Sequence, residues 1–147
     1  MPQSLSRIIV HLIFSTKGRV PWIIEPIEAE LYGYLVNALK ADGNVPIKIG
    51  GFDDHVHMLF GLSRTVTIAK TVEKIKSSSS RWMKSKQVDF AWQLGYAAFS
   101  VDHLETDGVV AYIANQRNHH EVVDFKDEFR QLMEEHGIPI DERYVWD

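Results

Sequence analysis

Residues 45–62 have the sequence VPIKIGGFDDHVHMLFGL, in which two apolar runs flank a short segment of Gly and Asp residues. The run from Val45 to Gly51 and the run from His55 to Leu62 each predict a β-strand. Because so few residues separate the runs, the two strands are expected to pair as a hairpin. Alternate residues of a strand project from one face, so the hairpin would place His55 and His57 side by side.

The sequence on either side of this hairpin predicts one strand and one helix in each direction. Ser6–Phe14 is rich in Ile, Val and Leu and predicts a strand, and apolar residues at helical spacing predict a helix from Pro26 to Asp42. A second helix is expected from Thr67 to Trp82, followed by a strand over Tyr96–Val101. This βαββαβ order is typical of a ferredoxin-like α+β fold, an antiparallel sheet with two covering helices.

Two additional C-terminal helices are predicted over Glu105–His119 and Asp124–His136. They need a surface on which to dock, and either the other face of the sheet or a partner subunit would serve. The length of 147 residues suits a single domain spanning 1–147.

The composition, with 45% hydrophobic and 24% charged residues, is that of a globular protein. The absence of Cys excludes disulfides, thiolate metal sites and a cysteine nucleophile, and it is compatible with a reducing cytosol. The apolar stretches are shorter than the ~20 residues of a membrane helix, and the N-terminal sequence does not resemble a signal peptide. A cytoplasmic location without a membrane partner is therefore expected.

The net charge of −4 is unevenly distributed along the chain. Residues 61–100 contain seven basic and two acidic residues, whereas residues 101–147 contain four basic and twelve acidic ones. A basic segment on an acidic protein can form a local phosphate-binding face, and a solvated helix face is the alternative. The candidate phosphate contacts are Lys17, Arg19, Lys76 and Arg81.

His55-Val56-His57 is the sharpest local motif, because two imidazoles on one strand face can chelate a single ion. Two half-buried histidines without a ligand are the alternative. Tyr112 and Gln116 lie four residues apart, which places both on one helix face. Gln offers a carbonyl oxygen as a metal ligand and Tyr a phenol as a nucleophile, although a helix surface often carries such a pair without function.

Together, two imidazoles and an amide oxygen form a mixed site compatible with Mg²⁺ or Mn²⁺ bound to a phosphate. Attack by Tyr112 on a DNA phosphate would conserve the phosphodiester energy in a phosphotyrosine bond. His11 is interpreted as structural, and His119-His120 as a solvated helix end or a DNA contact. The sequence has no P-loop, GxSxG or HExxH motif, so it gives no support to a P-loop NTPase, an α/β-hydrolase or a zincin. No nucleotide cofactor is expected.

Five stretches resemble the HUH-type single-tyrosine transposases, small enzymes of insertion sequences that act on single-stranded DNA. In chain order they are GGFDDHVHML (50–59), KSSSSRW (76–82), FAWQLGYAAFSV (90–101), YIANQ (112–116) and DERYVW (141–146). The resemblance therefore covers nearly the whole chain. Two positions depart from the family pattern: Gly18 stands between Lys17 and Arg19, and Asp53 adds a carboxylate beside the histidines.

The resemblance implies a ferredoxin-like fold, in agreement with the predicted element order. It implies that His55, His57 and Gln116 bind Mg²⁺ or Mn²⁺ and that Tyr112 forms a 5′-phosphotyrosine, releasing a 3′-OH. It also implies a homodimer with joined sheets, recognition of DNA hairpins at element ends, and a prokaryotic source. Two alternatives remain open: a non-catalytic, domesticated DNA-hairpin-binding protein, and a hydrolase that uses metal-bound water.

Overall fold

Within residues 2–147, which the computed structural model describes, the chain forms four β-strands and five α-helices. The strands are β1 (Ile9–Ser15), β2 (Val45–Phe52), β3 (His55–Gly61) and β4 (Ala97–Val101). The helices are α1 (Ile27–Ala41), α2 (Ile68–Lys84), α3 (Thr106–Ala114), α4 (Gln116–His119) and α5 (Phe125–Glu135). Each predicted strand and each of the first two predicted helices is present, with ends shifted by a few residues.

All strand pairs are antiparallel, and the strand order across the sheet is β2-β3-β1-β4. The hairpin predicted over residues 45–62 is β2–β3, in which Phe52 pairs with His55 and Gly50 with His57. β3 also pairs with β1, so that Ile13 lies opposite His57 in the sheet. The ferredoxin-like βαββαβ arrangement with additional C-terminal helices is thereby confirmed.

The two faces of the sheet are covered by different helices. Even-numbered residues of β1 and β3 pack under α1 and α2 and form the main core together with apolar residues of those helices. The strand residues of this core are Val10, Leu12, Phe14, Val56, Met58 and Phe60. Odd-numbered residues face the C-terminal helices: Ile13 joins a cluster with Phe125 of α5, and Ile9 and Leu59 pack on Ile113 of α3. The sheet's second face is therefore the docking surface that the C-terminal helices require.

The prediction of one helix over 105–119 was wrong at its centre, because the helix is interrupted at Asn115. The backbone of Asn115 has φ −92° and ψ 8°, and its side-chain oxygen accepts a hydrogen bond from Asn118 Nδ2 at 3.0 Å. Asn side chains compete with the helical backbone for hydrogen bonds, which favours helix ends over helix interiors. Tyr112 and Gln116 consequently lie on two consecutive helices rather than one.

Gly50 allows α3 to pack directly against β2. A Cβ atom at this position would lie 2.7 Å from Ile113 Cγ2 and 2.8 Å from the Ile113 carbonyl oxygen. We expect Gly50→Ala to push α3 away from the sheet and to lower the free energy of unfolding by about 1–3 kcal/mol. Urea denaturation measures this loss.

Gly33→Ala on α1 is the matched control, because a Cβ atom there meets nothing within 4 Å and Ala favours a helix. It should leave stability unchanged or raise it. Wild-type stability in Gly50→Ala would contradict the close approach of α3.

Among residues 2–147, no helix combines the length and the apolar character that crossing a membrane requires.

Candidate active site

Four residues predicted from the sequence converge on the second face of the sheet. β3 contributes His55 and His57, whose side chains are fully buried, α3 contributes Tyr112, and α4 contributes Gln116. A fifth residue, Glu128 of α5, lies among them and is only 2% exposed. All five side chains belong to one chain.

Hydrogen bonds connect these side chains around the Glu128 carboxylate. Gln116 Oε1 lies 2.9 Å from His55 Nε2, and Gln116 Nε2 donates to Glu128 Oε2 at 2.8 Å. His57 Nε2 lies 3.2 Å from Glu128 Oε1. The Tyr112 hydroxyl donates to Glu128 Oε2. The candidate nucleophile and the candidate metal ligands therefore contact the same carboxylate.

Both histidines are held by partners at Nδ1, on the side of the ring away from Glu128. His55 Nδ1 donates to Asp54 Oδ1 at 2.8 Å, and His57 Nδ1 is hydrogen-bonded to His11 Nε2 at 2.8 Å. A partner at Nδ1 fixes the orientation of each ring and turns its Nε2 atom toward Glu128, where Nε2 can bind a metal once it has given up its proton. The structural role predicted for His11 thus consists of orienting His57.

Burial controls the charge state of these groups. It lowers the pKa of His11 to about 3 and that of His57 to about 4, because neither imidazolium would be hydrated. Burial and the adjacent Glu128 carboxylate raise the pKa of Tyr112 well above its ordinary value. For Glu128, burial alone would raise the pKa, but contacts with His120 and His57 lower it far below its ordinary range.

These shifts predict a loss of stability in mild acid for the metal-free protein. The folded-state pKa values of His11 and His57 lie below the value of 6.5 expected in the unfolded chain, so only the unfolded state binds protons as the pH falls below 6.5. Each histidine should lower the free energy of unfolding by about 1.4 kcal/mol per pH unit, or about 2 kcal/mol at pH 5. Urea titrations between pH 7 and pH 5 measure the slope.

His103→Gln is the control for this prediction, because the His103 side chain is 53% exposed and should leave the slope unchanged. A free energy of unfolding that stays constant from pH 7 to pH 5 would contradict neutral, buried histidines.

The donor set fits a divalent metal ion. One nitrogen each of His55 and His57 and a carboxylate oxygen of Glu128 lie within 4.8 Å of one another, and all three residues are buried. Imidazole nitrogens and carboxylate oxygens are common ligands of first-row divalent metals, and carboxylates also suit Mg²⁺. The amide oxygen of Gln116 lies beside His55 and can extend this set.

Sequence reasoning missed Glu128, although α5 contains a signal. Phe125, Phe129 and Met133 form an apolar stripe at helical spacing, and Glu128 falls within this stripe. An unpaired carboxylate on an apolar helix face is costly in free energy, so such a residue marks a candidate site.

The interpretation of His120 as part of a solvated helix end was wrong, because its side chain is 2% exposed and its Nε2 lies 3.1 Å from Glu128 Oε1.

The additional acid at Asp53 is paired with Arg117 of α4. Its Oδ1 lies 3.1 Å from Arg117 Nη1, and Arg117 also contacts Glu28 of α1. The ion pair compensates the charge that could otherwise repel a phosphate.

The four predicted phosphate contacts occupy different surroundings. Lys17 and Arg81 are exposed, whereas Arg19 donates to the Trp146 carbonyl at 2.9 Å. Lys76 donates to the carbonyls of Gln93 and Gly95 at 2.8 and 2.6 Å, and burial lowers its pKa to about 8. Lys76 therefore ties α2 to the segment before β4. The helix α2, which carries Lys76 and Arg81, lies across the sheet from the histidines.

Comparison with known protein families matches residues 4–116 to the family described as "Transposase IS200 like". The chain belongs to the IS200-like transposase family. The resemblance noted in the sequence is thereby confirmed, and the protein is a transposase, a DNA-processing enzyme. Glu128 lies beyond the residues that define this match.

Two solved structures share the fold of this IS200-like transposase. A Deinococcus radiodurans R1 protein assigned as a transposase is 22% identical with a TM-score of 0.64, and the alignment covers 79% of this chain and 95% of that one. A REP-associated tyrosine transposase bound to a REP hairpin is 12% identical with a TM-score of 0.63, covering 84% of this chain and 76% of that one. No curated protein sequence matches this transposase.

Proposed function

We propose that this transposase cleaves and rejoins single-stranded DNA through a covalent bond to Tyr112. The observation that carries the proposal is the convergence, within one chain, of the Tyr112 hydroxyl, the two β3 imidazoles and the Gln116 side chain. A phenol beside a candidate metal site suits nucleophilic attack on a phosphodiester, because the phenolate is a competent nucleophile.

In the proposed reaction the Tyr112 oxygen bonds to phosphorus and the bond from phosphorus to the 3′ oxygen breaks. The 3′ oxygen takes a proton and leaves as a 3′-OH, while the 5′ side remains as a phosphotyrosine. A second 3′-OH can reverse this attack and rejoin strands without a nucleotide cofactor. The raised pKa of Tyr112 means that the phenol needs assistance to lose its proton.

His55, His57 and Gln116 would hold a Mg²⁺ or Mn²⁺ ion beside Tyr112. When bound, such an ion polarises the phosphoryl oxygens and offsets the negative charge that builds up during attack. The protein's own contribution is to fix the ligands: Asp54 and His11 orient the two imidazoles, and burial keeps His57 neutral at physiological pH.

The proposed substrate is hairpin DNA at the ends of a mobile element. The proposal is supported by the family and by the similar structure that holds a REP hairpin. We further propose that Lys17, Arg19 and Arg81 contact the DNA backbone, whereas the Lys76 ammonium, which donates to three backbone carbonyls, has a structural role instead. A homodimer and a prokaryotic source are also proposed from the family resemblance, and one domain spanning residues 1–147 and a cytoplasmic location from the length and composition of the sequence.

A denaturing gel tests the proposed function. Protein is mixed with labelled single-stranded DNA that spans the hairpins flanking the gene, with Mn²⁺ or with EDTA. We expect a slowly migrating covalent band that requires the metal. Hairpin binding on a native gel without any cleavage would favour a non-catalytic binding protein instead. Cleavage without a covalent band would favour hydrolysis by water.

A further inference from the structure

We propose that Glu128 is an additional protein ligand of the divalent ion, alongside His55, His57 and Gln116. The inference rests on the metal dependence proposed above and extends it to a residue outside the matched segment 4–116. It assigns part of the metal site to α5, a helix that the family match does not include.

The first support is the position of Glu128 Oε1, which faces the metal-binding edges of both imidazoles. Oε1 lies 3.2 Å from His57 Nε2 and 3.5 Å from His55 Nε2. Carboxylate oxygens are the protein ligands that Mg²⁺ and Mn²⁺ prefer. An ion held by the two imidazoles would thus lie within reach of a negatively charged oxygen.

The second support is the lack of a permanent positive charge around this buried carboxylate. Within the part of the chain that the structure describes, the ion-pair contacts of Glu128 are to four imidazoles: His55, His57, His119 and His120. Imidazoles that act as metal ligands must be neutral. A divalent cation would supply the positive charge that a buried carboxylate otherwise lacks.

The third support is the different environment of the second carboxylate oxygen. Glu128 Oε2 accepts hydrogen bonds from the Tyr112 hydroxyl and from Gln116 Nε2, the latter at 2.8 Å. One oxygen therefore faces the metal ligands and the other holds the nucleophile. Glu128 connects the metal site to Tyr112, so metal binding would also fix the carboxylate that positions the phenol.

Mn²⁺ titration followed by electron paramagnetic resonance of the free ion tests this assignment. We expect Glu128→Gln to bind Mn²⁺ at least about 10-fold more weakly than the wild type, because the amide has no charge. Glu134→Gln is the matched control, since Glu134 is an exposed residue of the same helix and should bind like the wild type. Circular dichroism verifies that each variant is folded.

Equal Mn²⁺ affinity in Glu128→Gln and in the wild type would overturn the role of Glu128 and leave the proposed function intact. Absence of Mn²⁺ binding in the wild type would overturn the metal dependence itself. Glu128→Asp, which retains the charge but shortens the side chain by one methylene, replaces the Gln variant if the latter does not fold. It should also bind more weakly, and wild-type affinity in it would equally overturn the assignment.

Discussion

Tyr112→Phe should abolish the covalent protein–DNA adduct, with a loss of at least about 10³-fold in its rate of formation. The substitution removes the only atom of this side chain that can attack phosphorus. The fold should be retained, because Gln116 Nε2 still donates to Glu128 Oε2 at 2.8 Å after the phenolic hydroxyl is lost. Denaturing gels quantify the adduct, and native gels should show hairpin affinity within about twofold of the wild type.

Tyr144→Phe is the matched control, because Tyr144 is 64% exposed and lies outside the site. It should form adducts at the wild-type rate. Adducts formed at an undiminished rate by Tyr112→Phe would refute the assignment of Tyr112 as the nucleophile.

His57→Ala should reduce metal-dependent adduct formation by at least about 100-fold, together with a loss of Mn²⁺ affinity. His57 is fully buried and lies between His11 and Glu128, so no solvent-exposed side chain can take its place. The substitution also leaves the Glu128 carboxylate without one of its contacts. Adduct yield against Mn²⁺ concentration, compared with a titration of binding, measures both effects.

His57→Leu accompanies this variant, because it retains most of the buried volume without a metal-binding atom and so separates loss of the ligand from loss of packing. His103→Ala is the control on an exposed histidine. Wild-type dependence on Mn²⁺ in both His57 variants would show that the reaction does not use this side chain.

The predictable part of the site came from spacing within short stretches of sequence. His55 and His57 are two residues apart on a strand, and Tyr112 and Gln116 are four apart near a helix end, so local geometry places each pair on one face. The interruption at Asn115 did not separate the second pair, since both side chains still contact Glu128.

The unpredicted part depends on contacts between distant segments. His11 reaches His57 because β1 pairs with β3, and Glu128 reaches the site because α5 packs across the sheet. No repeating pattern in the sequence indicates which residues His11 and Glu128 contact. Lys76 illustrates the same point, because its carbonyl partners lie 17–19 residues further along the chain.

Successive residues of β1 and β3 face opposite sides of the sheet, so the candidate site and the core can be redesigned separately. Positions 11, 55 and 57 face the candidate active site, and even positions such as 12, 56 and 58 belong to the core under α1 and α2. Libraries that probe the candidate metal site can vary positions 11, 55 and 57 while the apolar layer under α1 and α2 remains constant. Inserting or deleting a single residue in the turn at Asp53-Asp54 would exchange the two faces of β3, turning the imidazoles toward the core under α1 and α2 and turning Val56 and Met58 toward the C-terminal helices.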